Sequence, residues 1–417
     1  MMKYQTVKGM RNIFGAEAAE FNLIEKKSAD IFLKYNYSPI RIPVVEQSAL
    51  FTRSIGEATD IVEKEMYAFQ DKGGRNLALR PEGTAGVVKA YIEENLAQKF
   101  PSQKFFYSGN MFRQERPQAG RYREFTQVGC EYFGNASVYA DVEVIALACE
   151  ILDSIGVRGA EVRLNSIGCE KCRPSFISAV KEKLKLSYND LCEDCRRRSD
   201  KNPLRALDCK IDGGKFSDVG IKLCDECARD FENLKSGLAE AGVKFEVTNT
   251  LVRGLDYYTK TVFEIVSGAL GSQNAVCAGG RYNNLVADLG GPPTPAVGFA
   301  FGVDRLAGIL KPAEGAPAGN TGVFVAAFGG VQVLNYAFGV LKKLRDSGVP
   351  SDGGYFSKSI KSQMRQADAL NSGYVIIVGE DELKNGTLAL KNMKTKEQKT
   401  LAIKDIDAEI GRLPKSV

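Results

Sequence analysis

The chain has 417 residues, 44% of them hydrophobic and 26% charged, with a net charge of +5, an ordinary globular composition long enough for two or three domains. It contains no histidine, which excludes Ser–His–Asp and Cys–His nucleophile pairs, HExxH zinc hydrolysis and imidazole metal ligation, and leaves catalysis to Arg, Lys, carboxylates, Tyr, Cys or backbone amides. The mild basicity is compatible with a nucleic-acid partner without demonstrating one. No stretch approaches the roughly 18 apolar residues that span a bilayer and the N-terminus has no apolar signal core, so a cytoplasmic chain is expected.

From Glu20 to Tyr35, Phe21, Ile24, Ile31 and Phe32 fall on one helical stripe, and Pro39 then forces an extended stretch from Ile40 to Val45. After Leu77 come a turn-like RPEGT, an apolar helix through Tyr91 and a strand over Phe105 to Arg113. Gln114 to Tyr122, with Pro117 and Gly120, reads as a loop. Arg123 to Phe133 resumes as a strand whose alternation places Phe125, Gln127, Gly129 and Glu131 on one face. That face fits either a half-solvated hairpin strand or a floor that binds something flat and polar.

From about Ser166 to Val243 the sequence turns helical and basic and reads as an insertion. Thr248 to Ala278 is strand-like, interrupted by Gly254, Gly268 and Gly271, and is followed by Gly279, Gly280 and a helix-like NNLVADL. After a turn at Gly291 to Pro295, VGFAFGVDRLAGIL has helical length and composition. Lys311 to Gly322, rich in Pro, Ala and Gly, reads as a linker. Beyond it, the strand VFVAAF, a helix to Ser347, a helix from Lys358 to Leu370 and the strand YVIIVG predict a small α/β domain.

Seven of the ten cysteines fall in the insertion. Cys169/Cys172, Cys192/Cys195 and Cys224/Cys227 have metal-knuckle spacing, and Cys209 stands alone in LDCK. Any two pairs suffice for a four-thiolate Zn2+ site, and helical register alone also accounts for thiols in a small core. Both readings stay open. A catalytic role for these thiols is not expected.

SPIRIPVVEQ (Ser38 to Gln47), MFRQERPQAGRYREFTQVGCEYF (Met111 to Phe133) and TPAVGFAFGVDRL (Thr294 to Leu306) resemble, in that order, the three motifs of the class II aminoacyl-tRNA synthetases. LVRGLDYY (Leu251 to Tyr258) and AGGRY (Ala278 to Tyr282) are similar to the amino-acid motifs of the bacterial-type histidyl-tRNA synthetase family, and the resemblance covers nearly the whole chain. It implies a multidomain α+β and α/β protein. The layout is an antiparallel-sheet catalytic domain in two parts, 1–165 and 244–310, a mostly helical cysteine-rich insertion at 166–243, a linker at 311–322 and an α/β anticodon-binding domain at 323–417.

By the same resemblance, Arg113 contacts the α-phosphate of ATP, Arg121 reaches the γ-phosphate, and Phe125 with Arg305 sandwiches adenine, while Mg2+ accompanies the nucleotide. Glu82, Thr84 and Gln127 bind the α-ammonium group of histidine. Glu131 and Tyr258 recognise the imidazole, and Tyr257 and Tyr282 line the pocket. Arg253 stands beside the substrate carboxylate and α-phosphate, where relatives use a metal ion, so Arg113 and Arg253 are the expected catalytic pair. Gly254, Gly279 and Gly280 are expected to let backbone approach the ligand.

Glu115, Arg116 and Gln118 are expected to meet the tRNA acceptor end, and the first motif to form a homodimer interface. Gln114 and Thr126 replace residues that are commonly histidine in relatives, and Asn283 replaces a usual aspartate. A synthetase-like regulatory subunit of ATP phosphoribosyltransferase and an acyl-adenylate ligase for another small acid are the rival expectations. The first lacks the C-terminal domain, and the second leaves LVRGLDYY and AGGRY without purpose. The missing histidine itself implies that synthesis of the chain does not draw on the charged tRNA it is expected to make.

Overall fold

The computed structural model describes residues 4–57, 59–118, 120–216, 218–268, 275–308, 322–354 and 359–413. They fall into two units, one built from residues 1–13 and 17–311 and the other from 14–16 and 312–417. The linker expected at 311–322 lies, except for Gly322, outside the described residues, as do Gly271 and Lys358.

The stripe near the N-terminus forms α1 (Gly15–Lys34), with Phe21, Ile24, Ile31 and Phe32 buried as its spacing predicts. The segment after it pairs only at β1 (Ser38–Pro39) and β2 (Val45–Gln47), not as one strand over Ile40 to Val45. Between them a buried side chain replaces a neighbouring strand. The Arg80 guanidinium donates to the carbonyl of Ile42 at 2.6 Å, and the Arg80 amide donates to that of Val44 at 2.9 Å. β2 then joins β3 (Ala68–Gln70) and β4 (Asn76–Leu79) in a three-stranded sheet. α2 (Ser48–Ile55), α3 (Thr84–Glu93) and α4 (Leu96–Lys99) complete this region.

The main sheet holds eight strands. β5 (Gln103–Phe112), β6 (Glu124–Phe133), β7 (Ala160–Ser166), β8 (Phe245–Val247), β9 (Thr259–Ser267), β10 (Ala275–Arg281) and β11 (Ala296–Gly302) join β1 in the order β1-β5-β6-β11-β10-β9-β7-β8. Pairing is antiparallel except at the two outer pairs, β1 with β5 and β7 with β8. Long-range antiparallel pairing of this kind fits the expected fold class. One helix, α5 (Tyr139–Ser154), buries Val144, Ile145, Leu147, Ala148, Ile151 and Leu152 in a core shared with α1 and the sheet.

VGFAFGVDRLAGIL was expected to be helical throughout, and its first half is instead strand β11. A central strand buried on both faces reads as a continuous apolar run, which periodicity cannot separate from a buried helix. Its partner also demands strand. Gly298 lies opposite Glu131, and a Cβ there would sit 2.1 Å from Glu131 Oε2. Only Val303–Ala307 of this stretch is described as helix. Likewise, 248–258 forms no strand, and the strand-like sequence pairs only from Thr259 onward.

The insertion is helical, with α6 (Arg173–Leu186), α7 (Glu193–Lys201) and α8 (Asp225–Glu240) joined by short 3-10 turns. Its apolar residues Phe176, Val180, Leu191, Leu204 and Phe216 belong to the same buried cluster as Leu251, Val252, Tyr257, Tyr258 and Tyr282. It therefore supports the 251–258 loop from beneath.

The second unit is a five-stranded sheet. Val323–Ala327 pairs in parallel with Ser351–Gly353 on one side and Tyr374–Val378 on the other, followed by an antiparallel hairpin of Thr387–Asn392 and Gln398–Ala402. Helices Val331–Asp346 and Ile360–Ala369 pack with the sheet in two separate apolar clusters. Val323–Ala327, Tyr374–Val378 and both helices follow the sequence pattern, whereas Ser351–Gly353 and the hairpin, whose Leu388 and Leu390 are buried in the core, lie outside the elements it predicts.

Candidate active site

β6 presents Glu131 at the centre of the sheet, where the carboxylate is 1% exposed. Thr84, at the start of α3, donates its hydroxyl to Glu131 Oε1 at 2.7 Å, and Tyr282, just beyond β10, donates to Oε2. The phenol of Tyr107 lies 3.5 Å from Oε1. Burial pushes the Glu131 carboxyl up to about 8, with the hydroxyls of Tyr282 and Thr84 working against it. A group poised near neutrality in a chain without imidazole is an informative one.

Glu82 lies beside it, buried, and caps α3. Its two carboxylate oxygens accept the amides of Thr84 at 2.7 Å and Ala85 at 2.8 Å. Burial raises its carboxyl while those amides hold it down. Tyr257 and Tyr258 pack together at 4.7 Å between ring centroids, and Tyr257 meets Tyr282 edge-on at 5.6 Å. Gln127, four residues before Glu131 on the same strand face, keeps a buried Oε1 with no protein donor. Thus Glu82, Thr84, Glu131, Tyr257, Tyr258 and Tyr282, chosen from distant parts of the sequence, form one connected cluster around the buried carboxylate.

The cationic end of the site is built by the hairpin loop. Arg113 donates to the carbonyl of Pro81 at 2.9 Å, and its guanidinium lies 5.3 Å from the centre of the Phe125 ring. Arg121 pairs with Glu115 at 3.1 Å, and Arg113 approaches the same carboxylate at 3.9 Å. Arg305 donates to the carbonyl of Ala275 at 2.7 Å. Burial, with repulsion from Arg121 and Arg113, lowers the affinity of Arg305 for its proton. Three cations held this close, with one shared carboxylate, suit an anion.

Arg253 joins the two ends. It is paired with Glu264 on β9 and leaves a buried Nε without a partner. Burial opposes its charge, and the fields of Glu264 and Tyr258 outweigh it, so the guanidinium is held firmly protonated. The positive field of Arg253 in turn partly offsets the burial that drives the Tyr258 phenol up to about 12.

The glycines and Glu115 are placed otherwise than the sequence suggests, whereas Thr126, Gln114, Arg116 and Gln118 lie where the strand parity and the loop put them. Gly279 and Gly280 do not open space for a ligand: a Cβ at either would collide with the carbonyl of Gly298 at 2.3 Å or of Thr261 at 2.4 Å, so they permit close strand packing. Glu115 holds the hairpin arginines, whereas Arg116 and Gln118 lie exposed on the loop. Thr126 points away from the floor, its amide donating to Asp304 at 2.8 Å and its hydroxyl meeting Asn110. Gln114 stands at the strand end, its amide bonded to the carbonyl of Glu65. Asn283 Oδ1 is 3.4 Å from Arg281, whose principal partner is Asp141.

Sequence reasoning missed Glu264, Tyr107, Gly298 and the Arg281–Asp141 pair. A GGRY pattern signals a motif but not that its arginine is a buried lock 2% exposed.

The insertion cysteines gather into two groups near this site. Cys169, Cys172, Cys224 and Cys227 place their sulfurs within 4.8 Å of one another, with the measured contacts at 3.8 Å. Cys192 and Cys195 meet Cys209 and Asp212 within the same limit. Arg173, next to Cys172, donates to the carbonyl of Tyr258 at 2.7 Å.

This sheet, with a carboxylate pocket beside an arginine cluster and a separate C-terminal α/β unit, is the architecture of a class II aminoacyl-tRNA synthetase. The family described as Histidyl-tRNA synthetase matches residues 9–189 and 220–306, and the family described as Anticodon binding domain matches 322–413. The histidine–tRNA ligase of Elusimicrobium minutum is 45% identical over 409 residues, covering 98% of both chains. That of Aquifex aeolicus is 45% identical over 413 residues, covering 97% of this chain and all of the other. The crystal structure of S. aureus histidyl-tRNA synthetase superposes with a TM-score of 0.80 at 33% identity, covering 98% of this chain and 100% of the other. The chain belongs to the histidyl-tRNA synthetase family.

Proposed function

We propose that this protein is a histidine–tRNA ligase, joining L-histidine to ATP as histidyl-adenylate and passing it to the 3' end of histidine tRNA. The observation that carries this reading is the buried Glu131 carboxylate, ringed by Thr84, Tyr107 and Tyr282 hydroxyls. The carboxylate keeps lone pairs for an imidazole N–H, a donor that an isosteric apolar side chain lacks.

Glu82 and the free Oε1 of Gln127 supply acceptors for the α-ammonium group. Arg113 and Arg253 flank the α-phosphorus, Arg121 and Arg305 the outer phosphates and base, and Mg2+ enters as part of the nucleotide substrate. The substrate carboxylate is ionised at neutral pH and needs no general base. Its oxygen bonds to the α-phosphorus as the bond to pyrophosphate breaks. In the second step the terminal ribose hydroxyl attacks the carbonyl carbon, AMP leaves, and the hydroxyl proton passes to a phosphate oxygen of the adenylate. Neither step calls for imidazole.

The regulatory-subunit reading is disfavoured because Arg113, Arg253 and Arg305 occur together and residues 322–413 match the anticodon-binding family. We assign Arg116 and Gln118 to the acceptor end, the C-terminal unit to the anticodon, and the cytoplasm as the site of action. Among the described residues no helix is long and apolar enough to cross a membrane. A homodimer is assigned to the edge around Ile40, where a groove of about 340 Å³ is lined by Pro39, Ile40, Ile42 and Met111. The four-cysteine group is assigned a structural Zn2+, since tetrahedral Zn–S bonds of about 2.3 Å require sulfurs about 3.8 Å apart, as found for Cys169 with Cys172 and Cys224. Aminoacylation of histidine tRNA with histidine as the sole amino acid tests the whole reading. Histidine binding without any charging would favour the regulatory protein.

A further inference from the structure

The lone Cys209 of the sequence is not alone in the fold. Cys192 and Cys195 open α7, and Cys209 and Asp212 lie in the turn that follows the 3-10 segment Pro203–Ala206. The second pair repeats the two-residue spacing of the first, with a carboxylate in place of a thiolate. The sulfurs of Cys192 and Cys209 are 3.7 Å apart, close to the separation that tetrahedral zinc imposes.

We propose that Cys192, Cys195, Cys209 and Asp212 form a second metal site, separate from the four-cysteine group and binding a zinc-type divalent cation through three thiolates and one carboxylate. Close thiols alone do not require this, because sulfurs in van der Waals contact show similar separations. Asp212 does. Its side chain is fully buried, and a packed thiol core gains nothing from a desolvated carboxylate. Its oxygens accept from the Cys192 amide at 2.8 Å and from Lys215 at 2.8 Å and also face the Cys192 and Cys195 thiols, whose protons a metal would displace, freeing lone pairs for it. The Asp212 amide faces Cys209 Sγ at 3.5 Å, the backbone-to-sulfur contact that offsets thiolate charge in such knuckles. Soft thiolates with one hard oxygen and no imidazole suit zinc among the common divalent ions. All four residues fall within 190–219, the interval that the catalytic family match leaves out.

The position gives the site a purpose. The metal would close a loop that reaches the 60–63 turn and the Arg253 loop: Arg198 and Arg197 pair with Asp60, Arg197 with Glu63, and Asn202 donates to Asp256 at 2.6 Å. The inference does not depend on the assigned activity, since it is read from metal content.

Zinc counted in the full-length protein, purified without chelator, should be two per chain, falling to one in Cys209→Ser and to one in Cys224→Ser. A zinc content that Cys209→Ser leaves unchanged from wild type would overturn the proposal. Should Cys209→Ser fail to fold, cadmium-113 NMR of the exchanged wild type decides. Two resonances are expected, and Asp212→Cys should shift one of them toward the all-thiolate signal while two metals are retained. A single resonance, or two that Asp212→Cys leaves in place, contradicts the site.

Discussion

The hydroxyl of Thr84 donates to Oε1 of Glu131 across 2.7 Å, joining the first turn of α3 to the middle of the main sheet. The bond fixes one carboxylate oxygen and leaves the other to Tyr282. A hydrogen bond to a charged group is worth about 1.5–3 kcal/mol. Thr84→Val should therefore raise the KM for histidine by about tenfold or more, and Thr84→Ser should restore it, in steady-state assays at saturating ATP.

The pocket should also impose a pH dependence. Glu131 is held up to about 8 by burial, and the free ligand's imidazole titrates near about 6.5. A buried carboxyl and an imidazole that share one proton bind best when the free partners together carry one. Histidine affinity measured by calorimetry should be highest between those values and weaken on either side. Stability follows the same group. A carboxyl raised from 4.5 in the unfolded chain contributes stability that is full below 4.5 and lost as pH rises through about 8. The Tm of the ligand-free protein should fall over that window, and Glu131→Gln should flatten the fall.

Arg253 tests the division between binding and chemistry. It sits between the carboxylate pocket and the hairpin arginines, bound to Glu264, with Nε unused by the protein. Arg253→Lys removes the planar fork and should lower kcat for adenylate formation by about a hundredfold or more, with a much smaller change in histidine Kd. Rapid-quench formation of the adenylate separates the two.

Arg281 should behave in the opposite way. It is buried against Asp141 and the carbonyls of Asn135 and Ser137, each 2.9 Å away, and touches none of the pocket residues through its guanidinium. Asp141→Ala leaves a buried charge unpaired and should cost about 3–5 kcal/mol. Denaturant unfolding of that variant should show the loss, with the KM for histidine of the remaining folded protein little changed.

The absence of histidine from all 417 residues has its own consequence. Synthesis of this chain should continue during histidine limitation, relative to a version with histidine at Gln114 and Thr126. Equal rates in pulse-labelled cells would leave the absence without this purpose.

Much of this was legible beforehand because the relevant signals are local. The α1 stripe, the parity of β6 and the strand–helix alternation of the last domain need only near neighbours. What could not be read depends on partners far along the chain. β11 looks helical until Glu131 is known to occupy the space a Cβ at Gly298 would need. Ile40 to Val45 looks like a strand until Arg80 takes its carbonyls. Cys209 looks solitary because its partner in the repeated spacing is an aspartate. The pocket residues came from a motif resemblance, and the structure brings most of them together. It also finds Glu264 and Tyr107, which no short motif marks.

The most direct measurement of the central claim is ATP–pyrophosphate exchange with each amino acid supplied singly. Histidine alone should support exchange, and Glu131→Gln should lose most of it while ATP still binds. Exchange with another amino acid at a comparable rate, or undiminished histidine-dependent exchange in Glu131→Gln, would contradict the account.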